Sequence, residues 1–221
     1  MVLKRMIHMN KLYLASSLYI LSSFILGACL MNGLVLFLGW NMILATLVYV
    51  LAQLIVYFDK RHAPVVLLWI IFGFWLLFFP NTFYIITDFI HLEMYDFFID
   101  YPSLYAMIIN DWFVMAHITI GALIGIKFGV SSIHLMEYHF TPKFNLKPYA
   151  FVLLTVLFIL SSLGIYIGRF LRFNSWDFYK VFQILNEMKE NGPFLLIFVL
   201  LFTIIHWLSY FLFSYRTKDI V

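Results

Sequence analysis

Long runs of apolar residues, interrupted by short polar segments, occupy most of this chain of 221 residues. Six runs approach the roughly 20 residues that an α-helix needs to cross the hydrocarbon core of a bilayer. The pattern therefore predicts an all-α fold, in which a single integral membrane domain, residues 1–221, forms a polytopic bundle of about six transmembrane helices. The predicted spans are residues 13–35, 38–58, 63–79, 111–131, 149–170 and 194–215.

Two segments between the predicted spans are too apolar to be ordinary loops. Pro80 ends the third helix, because proline lacks the amide donor, and residues 80–104 then mix aromatic, aliphatic and acidic residues. This mixture indicates an interfacial or re-entrant segment. Residues 175–191 predict a short amphipathic helix on the membrane surface. Its apolar face follows the spacing i, i+3, i+4, i+7 through Val181, Ile184, Leu185 and Met188.

Composition and charge support the membrane class and set an orientation. Only 11% of the residues are charged, against about 25% in a typical soluble domain. The net charge of +3 is small, so the lipid bilayer is the expected partner and nucleic acid is not. Ten of the fourteen Lys and Arg residues lie in the N-terminus, residues 59–62 and 127–147, and the C-terminus. Both termini are therefore predicted to be cytoplasmic, with residues 80–110 outside.

Small residues recur on the fourth and fifth predicted helices. Gly164 and Gly168 form a small face on the fifth helix, and such faces allow helices to approach closely. We therefore expect these two helices to pack against each other, and we expect His117 and Asn41 to form hydrogen bonds between helices. The matching face of the fourth helix comprises His117, Gly121, Gly125 and Gly129.

Four charged residues lie in apolar surroundings near the outer ends of the spans: Asp88, Asp111, Arg169 and Arg172. A charge within the membrane costs roughly 2.5–3.5 kcal/mol, so such residues usually have a function. Asp111 opens the fourth helix, where the helix dipole favours a carboxylate. The other three are candidates for a functional site.

Asp88 and His91 are three residues apart and share an edge if their segment is helical. In one interpretation they are catalytic, with Asp88 orienting His91 as a general base. In the other, Asp88 pairs with Arg169 or Arg172 and locks the outer segment to the fifth helix. The two interpretations are compatible. No further ligands at a recognisable spacing accompany the pair, so no metal site is predicted, and the sequence identifies no cofactor.

Arg169 and Arg172 end the fifth helix three residues apart, so both can point to one side. Two guanidinium groups suit phosphate or carboxylate, although arginines at a helix end also anchor helices to lipid head groups. We expect Asp88 or Asp177 to lie within ion-pair distance of one of these arginines, because an unpaired buried charge is costly. The candidate binding residues are Asn81, Arg169, Arg172, Asn174 and Asp177.

Three stretches of the chain resemble a known family. They are Gly-Trp-Asn-Met-Ile-Leu-Ala at 39–45, Phe-Pro-Asn-Thr-Phe-Tyr-Ile-Ile-Thr-Asp-Phe-Ile-His-Leu at 79–92, and Gly-Ile-Tyr-Ile-Gly-Arg-Phe-Leu-Arg-Phe-Asn-Ser-Trp-Asp at 164–177. Together they look like the bacterial membrane family catalogued as domain of unknown function 1361. The resemblance implies a small integral protein of the bacterial cytoplasmic membrane and no particular reaction. It also leads us to expect Ala-Pro where this chain has Thr82-Phe83.

Two classes of function fit the outer charges. In the first, the chain is a membrane enzyme or binding protein for an anionic, lipid-linked or cell-envelope substrate, which the charged residues meet in an outward cavity. In the second, it is a transporter or a non-catalytic partner subunit, and the charges form a structural latch or an ion path. Charges that lie at one depth in the membrane favour a binding site, whereas an ion path distributes them across the bilayer. These charges are predicted to lie in the outer third of the membrane, so the first class is favoured. The oligomeric state stays open.

The predicted topology can be tested by cysteine labelling of intact cells. In a Cys29→Ala background, Asp100→Cys is expected to react with a membrane-impermeant thiol reagent, and Asn145→Cys is expected to stay unlabelled until lysis. The reason is the concentration of basic residues around position 145. Labelling at position 145 but not at position 100 would contradict this topology.

Overall fold

The computed structural model describes residues 2–100, 104–173 and 175–214. Six helical segments within these residues are long and apolar enough to cross a membrane, so the protein is a multi-pass membrane protein with an essentially all-α fold, as predicted. The helices are α1 (Val2–Cys29), α2 (Gly33–Lys60), α3 (Val65–Phe78), α4 (Asn81–Tyr84), α5 (Ile109–Phe144), α6 (Ala150–Arg169), α7 (Val181–Glu190) and α8 (Gly192–Phe213). Shorter elements are the 3-10 helices Ile85–Met94, Lys147–Tyr149 and Ser175–Lys180 and a small antiparallel hairpin of β1 (Phe98–Asp100) and β2 (Leu104–Tyr105).

Local capping and helix length shift the ends of the predicted spans. α1 ends at Cys29 rather than near residue 35, because Asn32 caps the next helix: its Oδ1 accepts hydrogen bonds from the N–H groups of Leu34 and Val35 at 3.1 and 3.2 Å. α5 has 36 residues and is about 54 Å long at 1.5 Å per residue. Its C-terminal part therefore extends beyond the bilayer core, well past the predicted end at residue 131.

The third span differs most from its prediction. α3 has only 14 residues, about 21 Å, whereas the hydrocarbon core is about 30 Å thick. Pro80 keeps helical angles, with φ −53° and ψ −31°, and the chain continues through α4 and the following 3-10 helix as one apolar segment, Val65–Met94. The segment 80–104, which was predicted to be interfacial or re-entrant, thus consists of α4 and the 3-10 helix, which continue the third helical segment, followed by the hairpin.

Helix α4 lies at the centre of the bundle, where it contacts α2, α5 and α6. Thr82 and Phe83 are fully buried there. A Cβ atom added to Gly125 of α5 would lie 2.8 Å from the carbonyl oxygen of Thr82, and one added to Gly164 of α6 would lie 2.5 Å from the Pro80 ring. The glycine faces of α5 and α6 thus both receive the segment 80–84. The expected direct packing of these two faces is wrong, because α4 occupies the space between them.

Buried histidines connect the outer helices of the bundle. His117 Nε2 of α5 and Ser23 Oγ of α1 are joined by a hydrogen bond of 2.8 Å, which confirms the bond between helices expected for His117. His206 of α8 makes the equivalent bond to Ser161 of α6, also at 2.8 Å. The His206 ring stacks on Phe83 with 3.8 Å between centroids. The pair α6–α8 is thereby attached to α4.

The close approach of α4 to α5 predicts that a Gly→Ala substitution lowers thermal stability at one position and not at another. Gly125→Ala should lower the melting temperature of the detergent-solubilised protein, since overpacking against a backbone carbonyl costs about 1–3 kcal/mol. Gly73→Ala is the matched control within a helix, because a Cβ atom there meets nothing within 4 Å. Equal melting temperatures for the two variants would contradict the arrangement.

Candidate functional site

The three motif stretches meet at one end of the bundle, which we term the Arg169 end. It is formed by the beginning of α2, the 3-10 helix Ile85–Met94 and the end of α6. The motif 79–92 supplies α4 and most of the 3-10 helix, and the motif 164–177 supplies the end of α6. The packing of α4 against α6 therefore brings residues about 80 positions apart in the chain into contact.

Arg169 is the last residue of α6 and is surrounded by side chains of the third helical segment. Its Nε donates to Thr87 Oγ1 at 2.8 Å and its Nη1 to His91 Nε2 at 3.1 Å, while its Nη2 bonds to a carboxylate oxygen of Asp88. The guanidinium carbon lies 4.3 Å from the centroid of the Tyr84 ring, within the range of a cation–π contact. All three nitrogens of the guanidinium group are thus in use.

Asp88 is fully buried, and both of its carboxylate oxygens are satisfied. Oδ1 accepts from Arg169, and Oδ2 accepts from Asn41 Nδ2 of α2 at 3.0 Å. The Arg169 side chain is only 10% exposed. The expected pairing of an outer carboxylate with an outer arginine is confirmed, and the hydrogen bond expected between helices for Asn41 is confirmed with it.

His91 contacts Arg169 through its Nε2 atom. A guanidinium group can only donate hydrogen bonds, so Nε2 is the acceptor in this contact. Asp88 and His91 are therefore connected through Arg169, and this geometry favours the interpretation of Asp88 as an ion-pair lock. The lone pair that a general base needs is already occupied, so the catalytic role of Asp88 and His91 stays a prediction.

A first cavity of about 550 Å³ lies beside Arg169. Arg172 and Glu93 both line it, and no hydrogen bond or ion pair joins either side chain to another described residue. Arg172 is exposed, and its φ of 59° places it in the left-handed region. The lining residues are Leu34, Phe37, Tyr84, Ile90, His91, Glu93, Met94, Gly168, Arg169 and Arg172.

A second cavity of about 790 Å³ adjoins the first and is mainly apolar. It lies between α2, α3, α6 and α7, and its walls include Asn81, which the sequence placed among the binding residues. The apolar face predicted for α7 forms one wall, so α7 covers a cavity instead of only resting on the membrane surface. The residues that line both cavities are Phe37, Tyr84, Gly168 and Arg172.

The remaining predicted residues lie apart from Arg169. Asp177 forms an ion pair with Lys180 at 2.9 Å, and among the described residues it lines neither cavity. Its carboxylate raises the pKa of the Lys180 ammonium above the ordinary value. Asp111 lies in the first turn of α5, as predicted, and accepts a hydrogen bond from the Asp96 N–H at 3.0 Å. Asn174 lies outside the described residues.

Four residues of this region were not predicted as site residues: Asn41, Tyr84, Thr87 and Glu93. The sequence does contain a signal for part of the set, because the polar or aromatic side chains at 84, 87, 88 and 91 follow the spacing i, i+3, i+4, i+7. This spacing indicates one helical face, and all four side chains contact Arg169. Only Asp88 and His91 were placed on this face from the sequence.

The buried pair predicts strong energetic coupling between Asp88 and Arg169. Asp88→Asn and Arg169→Met should each lower the free energy of unfolding by about 3–5 kcal/mol, because each leaves a buried charge without its partner. The double variant should lose less than the sum, as measured by denaturation in detergent. Glu187→Gln is the control, since among the described residues the charge that it removes takes part only in an exposed hydrogen bond with Gln183, and exposed charged contacts contribute little. Additive losses would show that the pair is not coupled.

Comparison with known proteins places the chain in a family. A search of curated proteins and a search of solved structures both find no match. A family model described as "Protein of unknown function (DUF1361)" matches residues 40–209, which include the motifs 79–92 and 164–177 and the helices α3 to α7. The protein therefore belongs to the DUF1361 family.

Proposed function

We propose that the protein binds the anionic head group of a lipid-linked or cell-envelope ligand in the first cavity, and that Arg172 is the residue that contacts the anion. The observation that supports this most is the contrast between two arginines three residues apart. Arg169 is held by Asp88, His91 and Thr87, whereas Arg172 lines the same cavity with no partner among the described residues. A planar guanidinium group with free donors matches phosphate or carboxylate.

The backbone at Arg172 gives a second argument. A left-handed conformation costs a residue with a Cβ atom about 1–2 kcal/mol, and glycine or asparagine usually occupies such a position. Asn145 at the end of α5 follows that preference, with φ 50°, whereas Met31 and His62 do not. An arginine in this conformation is less favourable for folding, and no hydrogen bond or ion pair of its side chain with a described residue offsets that cost. We infer that the side chain is retained for its charge.

The site is proposed to face the outside of a bacterial cytoplasmic membrane, with both termini cytoplasmic. The distribution of basic residues supports this orientation. Lys60, Arg61 and Lys143 lie at the end of the bundle opposite Arg169, where Lys143 and His139 bind Asp59 at 2.6 and 2.7 Å. An anionic ligand at the Arg169 end would then belong to the outer leaflet or to the cell envelope.

The alternative, a transporter or a non-catalytic partner subunit, has one observation in its favour. The Asp88–Arg169 pair is the structural latch that this alternative requires, because it fixes the third helical segment to α6. A latch does not account for Arg172, whose side chain makes no hydrogen bond or ion pair with the residues that the structure describes. Arg172 is therefore the residue that separates the two functions.

Complementation of a deletion strain tests the proposal. The Arg172→Gly variant should accumulate normally and melt no lower than the wild type, since glycine relieves the left-handed strain. It should nevertheless fail to restore the lipid and cell-envelope composition of the parent, as measured by lipidomics. Met31→Gly is the matched control, because Met31 is also exposed and left-handed, with φ 50°, and lines neither cavity.

Two results would contradict the proposal. Full restoration of the parent's composition by Arg172→Gly would show that Arg172 is not needed for the function. A deletion strain with unchanged lipids and cell envelope would show that the ligand is neither a lipid nor an envelope component, and the latch alternative would then be the better account.

A further inference from the structure

The second cavity adds information about the ligand that the first cavity lacks. Most of its lining is hydrocarbon from α2, α3, α6 and α7, and its volume of about 790 Å³ is within the range of about 300–1,000 Å³ that is usual for ligand sites. An apolar cavity is poorly suited to water, which needs polar partners. Its natural occupant is another apolar group.

The polar atoms on the cavity wall are unequally available. Asn41 donates to Asp88 at 3.0 Å, Asn81 donates to the Phe78 carbonyl oxygen at 2.9 Å, and the Tyr84 ring lies beneath Arg169. Arg172 is the cation on the wall, and it also lines the first cavity. The apolar cavity therefore meets the polar cavity at a guanidinium group whose donors bind no other residue in the described part of the chain.

The apolar cavity extends from this guanidinium group towards the middle of the bundle. Leu160 of α6 lines it and lies nine residues before Arg169, which is about 13 Å along the helix axis. A hydrocarbon core about 30 Å thick has its midplane about 15 Å from either surface. The cavity thus follows the direction and approximate length of a lipid chain in one leaflet.

Gly73 of α3 gives an independent indication that the second cavity binds a ligand. Seven other glycines inside helices are closely packed, because a Cβ atom added to any of them would lie 3.1 Å or less from a neighbouring atom. They are Gly27, Gly39, Gly121, Gly125, Gly129, Gly164 and Gly168. A Cβ on Gly73 would meet nothing within 4 Å, although Gly73 lies inside α3 and lines the second cavity. Glycine within a helix costs about 1 kcal/mol relative to alanine, and no packing within the chain requires it here.

We propose that the second cavity holds the hydrocarbon chain of the same ligand whose anionic head group Arg172 contacts. The ligand class is then a membrane-resident amphiphile with a long chain joined to an anion, and a free phosphate or a soluble envelope fragment is excluded. This proposal rests on the proposed function, because it assigns both ends of one molecule to Arg172 and to the adjoining cavity. Trp40 also lines the cavity, so its fluorescence reports on the occupant.

The experiment uses the full chain in phosphatidylcholine nanodiscs and a hexadecyl phosphate that carries two bromine atoms on its chain. Bromine quenches tryptophan on contact, and the Trp40→Phe variant identifies the quenching that belongs to Trp40. We expect saturable quenching in the wild type. The brominated hexadecanol without the phosphate should bind about tenfold more weakly or worse, and inorganic phosphate should compete only weakly.

Gly73→Phe is expected to weaken binding of the brominated phosphate about tenfold or more, because the ring fills the cavity. Ile70→Phe is the matched control on the same helix, because Ile70 is 52% exposed and lines neither cavity, and this variant should bind within about twofold of the wild type. The melting temperature of each variant is measured in parallel. Leu163→Phe fills part of the cavity from α6 without adding a tryptophan, and it replaces Gly73→Phe if that variant melts lower.

The outcomes separate the two proposals. Unchanged binding by Gly73→Phe and Leu163→Phe, together with its loss in Arg172→Gly, would overturn the chain site and leave the head-group site intact. Equal binding of the alcohol and the phosphate would overturn the assignment of both ends to one anionic ligand. The proposed function itself would be overturned if the brominated phosphate gave no saturable quenching in the wild type and inorganic phosphate did not change the tryptophan fluorescence either.

Discussion

The close packing of residues 80–84 between α5 and α6 is the constraint on which the rest of the structure depends. Backbone and ring atoms of this segment approach Gly125 and Gly164 so closely that neither position accommodates a Cβ atom without a shift. Pro80 removes one amide donor from the third helical segment while retaining helical angles. Because α4 is fixed between two glycine faces, the 3-10 helix that follows is carried to the end of α6, where Arg169 lies.

The arrangement around Arg169 shows how a charge is made compatible with the bundle. One guanidinium group binds a carboxylate, an imidazole and a hydroxyl on the neighbouring segment and lies over an aromatic ring. The buried carboxylate is balanced in turn by Asn41 of α2. Three transmembrane segments are joined through one polar cluster, which is stable only while every member has its partner.

The end of α6 at Arg169 gives two arginines of the same motif different surroundings. Arg169 is still helical and points into the cluster, whereas Arg172 follows the helix end in a left-handed turn closed by the Phe173 N–H and the Ile167 carbonyl oxygen at 3.3 Å. The sequence spacing of three indicated only that both arginines could point to one side. An ion pair with one of them was correctly expected, but the choice of Arg169 depended on where the helix ends. The polar pattern at 84, 87, 88 and 91 was readable in the sequence and indicated one helical face, but it could not show which arginine meets that face.

The sequence by itself determined the class of protein, the number of helical segments able to cross a membrane and the apolar face of α7, because hydropathy and periodicity act over short distances along the chain. It also located the two motifs in which the buried charges lie. Only the tertiary structure decided that α4 separates the glycine faces, that Asp88 binds Arg169, and that Arg172 borders both cavities. These features depend on contacts between segments about 80 positions apart in the chain. The sequence pattern of a helix shows which of its faces is polar or apolar, but it does not show which other helix that face contacts.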